Sequence, residues 1–213
     1  MKAVVSTVGQ VLCDSLPFSQ SGTRAQALAM RAAGADGFAG YLGVINKERV
    51  QFIVDAGIGY LPVTLAGEYN DGAADEVASL RNLGIPAGVT VFLDLEGLSA
   101  FRTDPVVLAD KINAWADNIA HAGYIPSLYV GVPQPFTSNE LWKLRVQRYW
   151  KGQGSLRDRY NALTEPTGCG FCLTQMYPSH PRGGVWTDSN MIGCDFKGRT
   201  PVWAASLNYQ AVK

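Results

Sequence analysis

A structural unit that recurs four times is the feature that most constrains how this chain of 213 residues can fold. In each unit a segment with helical periodicity ends at a glycine, and a short apolar segment follows it. The four glycines are Gly34, Gly57, Gly84 and Gly123. Glycine adopts the left-handed conformation that ends many helices at little steric cost, so each unit is predicted to be a helix followed by a strand.

The predicted strands are short and almost continuously apolar, which is typical of parallel strands covered on both faces. "QVLCD" before the first unit, and "QRYWKG", "CLTQMYP" and "MIGCDFKG" in the C-terminal third, bring the predicted strands to eight. The segment "PSHPRGGVWTDSN" is predicted to be a loop, and no linker divides the chain. The sequence therefore predicts a single α/β domain over 1–213: a compact (β/α)8 TIM-type barrel with reduced helices in its C-terminal third.

The overall composition excludes several classes of function. The chain is 47% hydrophobic, and its 18 Lys and Arg residues balance its 18 Asp and Glu residues, so no basic surface for nucleic acid is expected. No apolar stretch approaches the roughly 20 residues that a membrane-spanning helix needs. The first residues, "MKAVVSTVGQVLCD", do not resemble a secretion signal, so synthesis in the cytoplasm without membrane insertion is expected.

Acidic residues at the ends of predicted strands are the strongest indication of a functional site. The stretch "VFLDLEG" places Asp94 and Glu96 two residues apart, so both share one face of a strand. Asp14 ends the first predicted strand and Asp195 ends the eighth. Because barrel enzymes keep functional residues at the C-terminal ends of their strands, and the first strand adjoins the eighth, these acids are expected to meet at one rim.

Carboxylates grouped in a partly dry pocket push one another's pKa values apart, so that one can donate a proton while another stays ionised. Cleavage of a glycosidic bond needs that division of labour. The spacing does not decide between retention and inversion of configuration. Two other interpretations stay open: the acids pair with basic residues and only stabilise the barrel, or they bind a divalent cation.

Aromatic and amide side chains near the same strand ends are candidate contacts to a sugar. Flat rings can stack on sugar faces, and an amide can donate to a hydroxyl group. The candidate substrate-binding residues are Tyr41, Tyr129, Trp150, Gln175, Tyr177 and Trp186. No cofactor or resident metal is predicted.

Four cysteines, Cys13, Cys169, Cys172 and Cys194, leave several possibilities open. One C-x-x-C pair is present without a second pair of that spacing, so buried thiols or one disulfide are favoured over a zinc or redox site. No Ser or Cys stands out as a nucleophile candidate with a histidine to activate it, so a catalytic triad has no support.

Taken in order, several short motifs resemble those of a known family. They are "LCDSL", "YLG", "FLDLE", "SLYVG", "RYWKG", "QMY" and "GCDFKG", and together they cover nearly the whole chain. The chain resembles the glycoside-hydrolase-like barrel domains of bacteria and phages, which are similar to the family 25 glycoside hydrolases, the lysozymes that cleave peptidoglycan. It departs from the lysozymes in its late loops and in "QRYWKG", where they usually have a Trp earlier in the strand.

The resemblance implies a role for each acid. Glu96 would be the general acid, Asp94 and Asp14 would polarise the substrate or stabilise the transition state, and Asp195 would support the site. It implies a peptidoglycan hydrolase, such as a phage-type endolysin that reaches the cell wall with the help of another protein. The sequence leaves the oligomeric state open, and a monomer is expected. A non-catalytic glycan-binding barrel or phage particle component, and another hydrolase that uses the same acidic pocket, are the alternatives.

Overall fold

The computed structural model describes residues 1–65, 73–95, 104–131, 134–152 and 164–210. Ten strands lie within these residues: β1 (Lys2–Val5), β2 (Val11–Asp14), β3 (Gly37–Tyr41), β4 (Gly59–Leu65), β5 (Thr90–Asp94), β6 (Ile125–Val130), β7 (Arg148–Lys151), β8 (Leu173–Arg182), β9 (Val185–Ile192) and β10 (Val202–Ala205). Six helices accompany them: α1 (Leu16–Ser21), α2 (Arg24–Ala32), α3 (Lys47–Asp55), α4 (Ala74–Leu83), α5 (Pro105–His121) and α6 (Ser138–Lys143).

Eight of the strands form a closed barrel. Strands β2 to β8 pair in chain order and in parallel, and β9 then pairs antiparallel with both β8 and β2, which closes the ring. Strands β1 and β10 form a separate antiparallel pair, and β10 also contacts β4 through Ala204 and Tyr60. The protein is therefore a closed, mixed β-barrel of eight strands.

The predicted (β/α)8 TIM-type barrel is wrong, and the reason lies in the C-terminal third. The segment predicted to be a loop, "PSHPRGGVWTDSN", supplies the second half of β8 and most of β9. A two-residue turn at Gly183 and Gly184 joins the two strands. Both glycines have positive φ, which is what a tight hairpin turn requires. The hairpin reverses the chain with no helix between its strands, so the closing strand runs antiparallel to the others.

Alternation along the strands divides the apolar residues between two layers. One layer fills the barrel interior, with Leu12, Leu61, Phe92 and Ile192 among its buried members. The other lies between the barrel and the helices, and each of the helices contributes buried residues to it. All four glycines that the sequence places after helices do have positive φ, which confirms these helix ends.

Trp203 of β10 closes the end of the barrel where the parallel strands begin. Its ring is completely buried, and it lies so near Gly37 and Gly59 that an added Cβ would approach ring atoms to 2.5 and 2.4 Å. Strands β3 and β4 therefore begin with glycine because the indole ring occupies the space of a side chain. The opposite end of the barrel, where the parallel strands finish, is left for a site.

Candidate active site

The last residues of the parallel strands and the first residues of β9 meet at one rim. Asp14 ends β2 and Tyr41 ends β3, while β9 begins beside them because it runs in the opposite direction. A cavity of about 280 Å³ opens between these elements. It is lined by Asp14, Ser15, Leu16, Pro17, Tyr41, Ser179, Trp186, Thr187 and Asp188.

Two carboxylates lie side by side on this rim. Asp14 of β2 pairs directly with Asp188 of β9 in the antiparallel register. Residues directly opposite each other point to the same face, with Cβ atoms about 4.5–5.5 Å apart, and like charges in that position repel. A pair of acids is therefore placed where strand pairing alone would disfavour it.

Side-chain amides hydrogen-bond to both carboxylates. The Nδ2 of Asn190 donates to Asp14 Oδ2 at 2.7 Å, and the Nε2 of Gln175 donates to Asp188 Oδ2 at 2.9 Å. The hydroxyl of Ser179 also donates to Asp188. These hydrogen bonds hold both carboxylates in fixed positions at the rim.

An aromatic side chain donates a hydrogen bond to the oxygen of each amide. The indole Nε1 of Trp150 donates to Asn190 Oδ1 at 3.0 Å, and the hydroxyl of Tyr129 donates to Gln175 Oε1 at 2.8 Å. Trp150 and Tyr129 are both almost fully buried, and their ring centroids lie 4.5 Å apart. Both residues, which the sequence suggested as sugar contacts, lie inside the barrel beneath the rim.

Trp186 is the exposed aromatic residue of the cavity. Its side chain lies at the start of β9 and is 65% exposed, while its main-chain oxygen accepts a hydrogen bond of 2.7 Å from Ser15 Oγ. The backbone is thus held in place while the ring remains in water. An exposed indole beside carboxylates is a surface on which a sugar ring can stack.

The other acids of the sequence prediction lie in different places. Asp94 ends β5 on the same rim and is 2% exposed, and its neighbours in register are Leu65 and Tyr129. Glu96 and the side chain of Tyr177 lie outside the described residues. The structure thus brings Asp14, Tyr41 and Trp186 together in one cavity, with Asp94 farther round the barrel.

Asp195 lies at the opposite end of the barrel. It follows β9, whose last residue pairs with the first residue of β8, and it forms a 2.7 Å ion pair with Arg199. Burial alone would raise the pKa of Asp195, but hydrogen bonds from the side chain and main chain of Arg199, and from the main chain of Lys197, lower it instead. The expected meeting of Asp14 and Asp195 does not occur because β9 is antiparallel.

All four cysteines are free thiols, and only Cys194 is exposed. Burial raises the pKa of Cys13 to about 11 and that of Cys172 to about 12. Within the described ranges no group of three or more His, Cys, Asp or Glu residues could hold a metal ion. No helix in these ranges is both long and apolar enough to cross a membrane.

Sequence reasoning missed Asp188 and Asn190, which complete the site. Both lie in "VWTDSNMI", where polar residues stand on both faces of the strand, so the alternation of apolar and polar residues did not reveal it. The signal that could have revealed this strand is the glycine pair before it, since two turn glycines between extended segments are typical of a hairpin.

Comparisons with known proteins identify the fold. No protein-family model matches the sequence, and no curated protein sequence matches it. An uncharacterized protein of B. stearothermophilus has a similar structure, with a TM-score of 0.65, 19% identity, and coverage of 86% of this chain and 96% of that one. The Tat-secreted protein Rv2525c of Mycobacterium tuberculosis, solved in complex with HEPES, matches with a TM-score of 0.58 and 16% identity over 92% of this chain and 99% of its own.

A bacterial lysozyme from Streptomyces coelicolor is also similar. Its TM-score is 0.58 at 11% identity, with 88% of this chain and 93% of the lysozyme covered. Likeness at this identity shows the fold alone. The chain therefore shares its barrel fold with a lysozyme, with a Tat-secreted protein and with an uncharacterized protein.

Proposed function

We propose that the protein is a glycoside hydrolase that cleaves peptidoglycan. The observation that supports this most directly is the Asp14–Asp188 pair at the edge of an open cavity, beside the exposed ring of Trp186. Glycosidic cleavage passes through a transition state with positive charge on the sugar ring. Carboxylates already held in place by hydrogen bonds stabilise such charge without reorganising during the reaction.

The proposal assigns separate tasks around the rim. Asp14 and Asp188 face the developing positive charge, and the ring of Trp186 stacks on the sugar. The proton for the leaving oxygen is assigned to Glu96, which comes two residues after Asp94 in the sequence, and Asp94 at the end of β5 is a second acid for the same step. Such a division suits a reaction in which one acid is protonated while others are ionised.

Purified peptidoglycan provides the test. The wild-type protein is expected to release new reducing ends, and mass analysis of the fragments identifies the bond that is cleaved. Asp14→Asn, Asp188→Asn and Glu96→Gln are each expected to lower the rate by at least about 100-fold, the usual scale for a lost charge-stabilising or proton-transferring group. Asp55→Asn is the matched control, because Asp55 lies on the surface of α3 in a 3.7 Å ion pair with Arg24.

The outcome separates the candidate functions. Binding to peptidoglycan without new reducing ends would contradict the hydrolase and favour a non-catalytic glycan-binding barrel. Release of fragments from intact bacterial walls, when the protein is added from outside, is the activity that the more specific role of an endolysin requires. Cleavage that persists undiminished in all three acid variants would assign the chemistry to a different site.

A further inference from the structure

The two carboxylates of the cavity belong to a repeated arrangement of side chains. Each is bound by an amide, and each amide is bound by an aromatic donor: Trp150–Asn190–Asp14 and Tyr129–Gln175–Asp188. Corresponding members of the two sets are neighbours in the sheet: acid beside acid, amide beside amide, and aromatic residue beside aromatic residue. Asp14 pairs with Asp188, Gln175 with Asn190, and Tyr129 with Trp150 in the registers of the sheet.

The indole of Trp150 decides which way the amide of Asn190 faces. The indole N–H of Trp150 can only donate, so it requires the oxygen of Asn190 and turns the Nδ2 group toward Asp14. Asn190 is fully buried, and its Nδ2 also donates to the main-chain oxygen of Leu12 at 3.3 Å. The amide therefore cannot rotate to present its oxygen to the carboxylate without leaving the indole N–H unpaired in the barrel interior.

We propose that these two aromatic–amide pairs keep Asp14 and Asp188 ionised together, so that the rim presents two negative charges to the substrate. This inference rests on the proposed function for its role in catalysis. Asn190 and Gln175 are positioning residues, which act through the carboxylates they hold. In consequence neither Asp14 nor Asp188 donates the proton, and another group must supply it.

Other charged groups lie around Asp14. Among the described residues, Asp188 faces it from β9 and Tyr41 from β3, and Asp94 lies on the same rim at the end of β5. Arg182 and Asp36 lie near Cys13, the residue before Asp14, and the charge of Arg182 lowers the pKa of that thiol while the charge of Asp36 raises it. None of these groups changes in the variants described next, so a shift in the titration of Asp14 reports on Asn190.

The test is a titration that does not depend on activity. Carboxyl carbons of Asp14 and Asp188 are followed by ¹³C NMR against pH in the wild type and in Asn190→Asp. The change keeps the size of the side chain but replaces the N–H donor by a third acid at hydrogen-bond distance. The pKa of Asp14 is expected to rise by about one unit or more, because the ionised form loses its donor and gains a like charge.

Two further variants keep the test decisive if Asn190→Asp does not fold. Gln175 is only half buried, so a change there is easier to accommodate. Gln175→Glu is expected to raise the pKa of Asp188, because the N–H donor is again replaced by an acid. Trp150→Phe removes the indole donor but keeps a ring, and is expected to raise the pKa of Asp14 because the amide is then free to rotate. Asn46→Asp is the matched control: Asn46 caps α3 by accepting from Arg49 N–H, a role that Asp fills equally well.

The pH dependence of cleavage links the titration to function. In Asn190→Asp and Gln175→Glu the acidic limb of the activity profile is expected to move to higher pH by the same amount as the carboxyl titration. Unchanged titration of Asp14 and Asp188 in these variants would overturn the inference, even if the protein cleaves peptidoglycan. If the protein cleaves no glycan but the titrations shift as expected, the proposed function fails and the control of ionisation by the amides stands.

Discussion

Trp186→Ala should weaken binding of glycan while leaving the fold intact. A tryptophan side chain can bury roughly 150–250 Å², and this one is 65% exposed. If a sugar covers one face, about half of the exposed area, then about 65 Å² leaves water on binding. At about 25 cal/mol per Å² this is worth about 1.6 kcal/mol, or roughly 15-fold in the dissociation constant.

Calorimetry with soluble peptidoglycan fragments measures that change, with Asp14→Asn as the background so that the ligand is not consumed. Trp142→Ala is the control, since Trp142 on α6 is also partly exposed, with Lys197 4.9 Å from the centre of its ring. The free energy of unfolding should change by no more than about 0.5 kcal/mol in Trp186→Ala, as is usual for an exposed side chain. Equal affinity of the Asp14→Asn background with and without Trp186→Ala would refute the assignment of the ring as a sugar platform, as would an equal loss when Trp142→Ala is added to that background.

Three other predictions concern the barrel beneath the site. Trp203→Ala should lower the free energy of unfolding by about 3–5 kcal/mol in urea titrations, because it empties the closed end of the barrel; a loss below 1 kcal/mol would show that the ring does not support the strands. The lowered pKa of Asp195 means that its ion pair with Arg199 contributes stability above the unfolded pKa of about 4, which is lost as pH falls through the folded value. Asp195→Asn should therefore lower the melting temperature at pH 7 but much less at pH 3, and an equal loss at both would contradict this account. Thiol titration of the native protein at pH 8 should detect Cys194 alone, and four thiols after unfolding, since the other three are buried and burial raises the pKa of each.

Local features of the sequence predicted local features of the structure. The helix ends at Gly34, Gly57, Gly84 and Gly123 were correct, because a positive φ after a helix is a property of the glycine itself. The placement of Asp14 and Asp94 at strand ends was also correct, since an apolar run that stops at an acid predicts a strand boundary within a residue or two.

The failures have one origin, the direction of a single strand. The alternation of apolar residues predicts where a strand lies. It does not predict whether the strand runs parallel or antiparallel to its neighbours, because side chains alternate equally in both arrangements. Taking the last strand as parallel placed Asp195 at the active rim and left "VWTDSN" within a predicted loop. Its true direction moves Asp195 to the other end and brings in Asp188.

The sequence by itself therefore determined strands β2 to β7, helices α2 to α5, and an acidic rim with Asp14 as a member, but it did not predict β1 or α1. Only the tertiary structure decided which acid stands beside Asp14, and that Trp150 and Tyr129 support the site from below while Trp186 faces the solvent. The physical reason is that a carboxylate pair, and the amides that hold it, are made by strands far apart in the chain, 176 positions apart for Asp14 and Asn190. Their meeting depends on how the barrel closes, which no local pattern specifies.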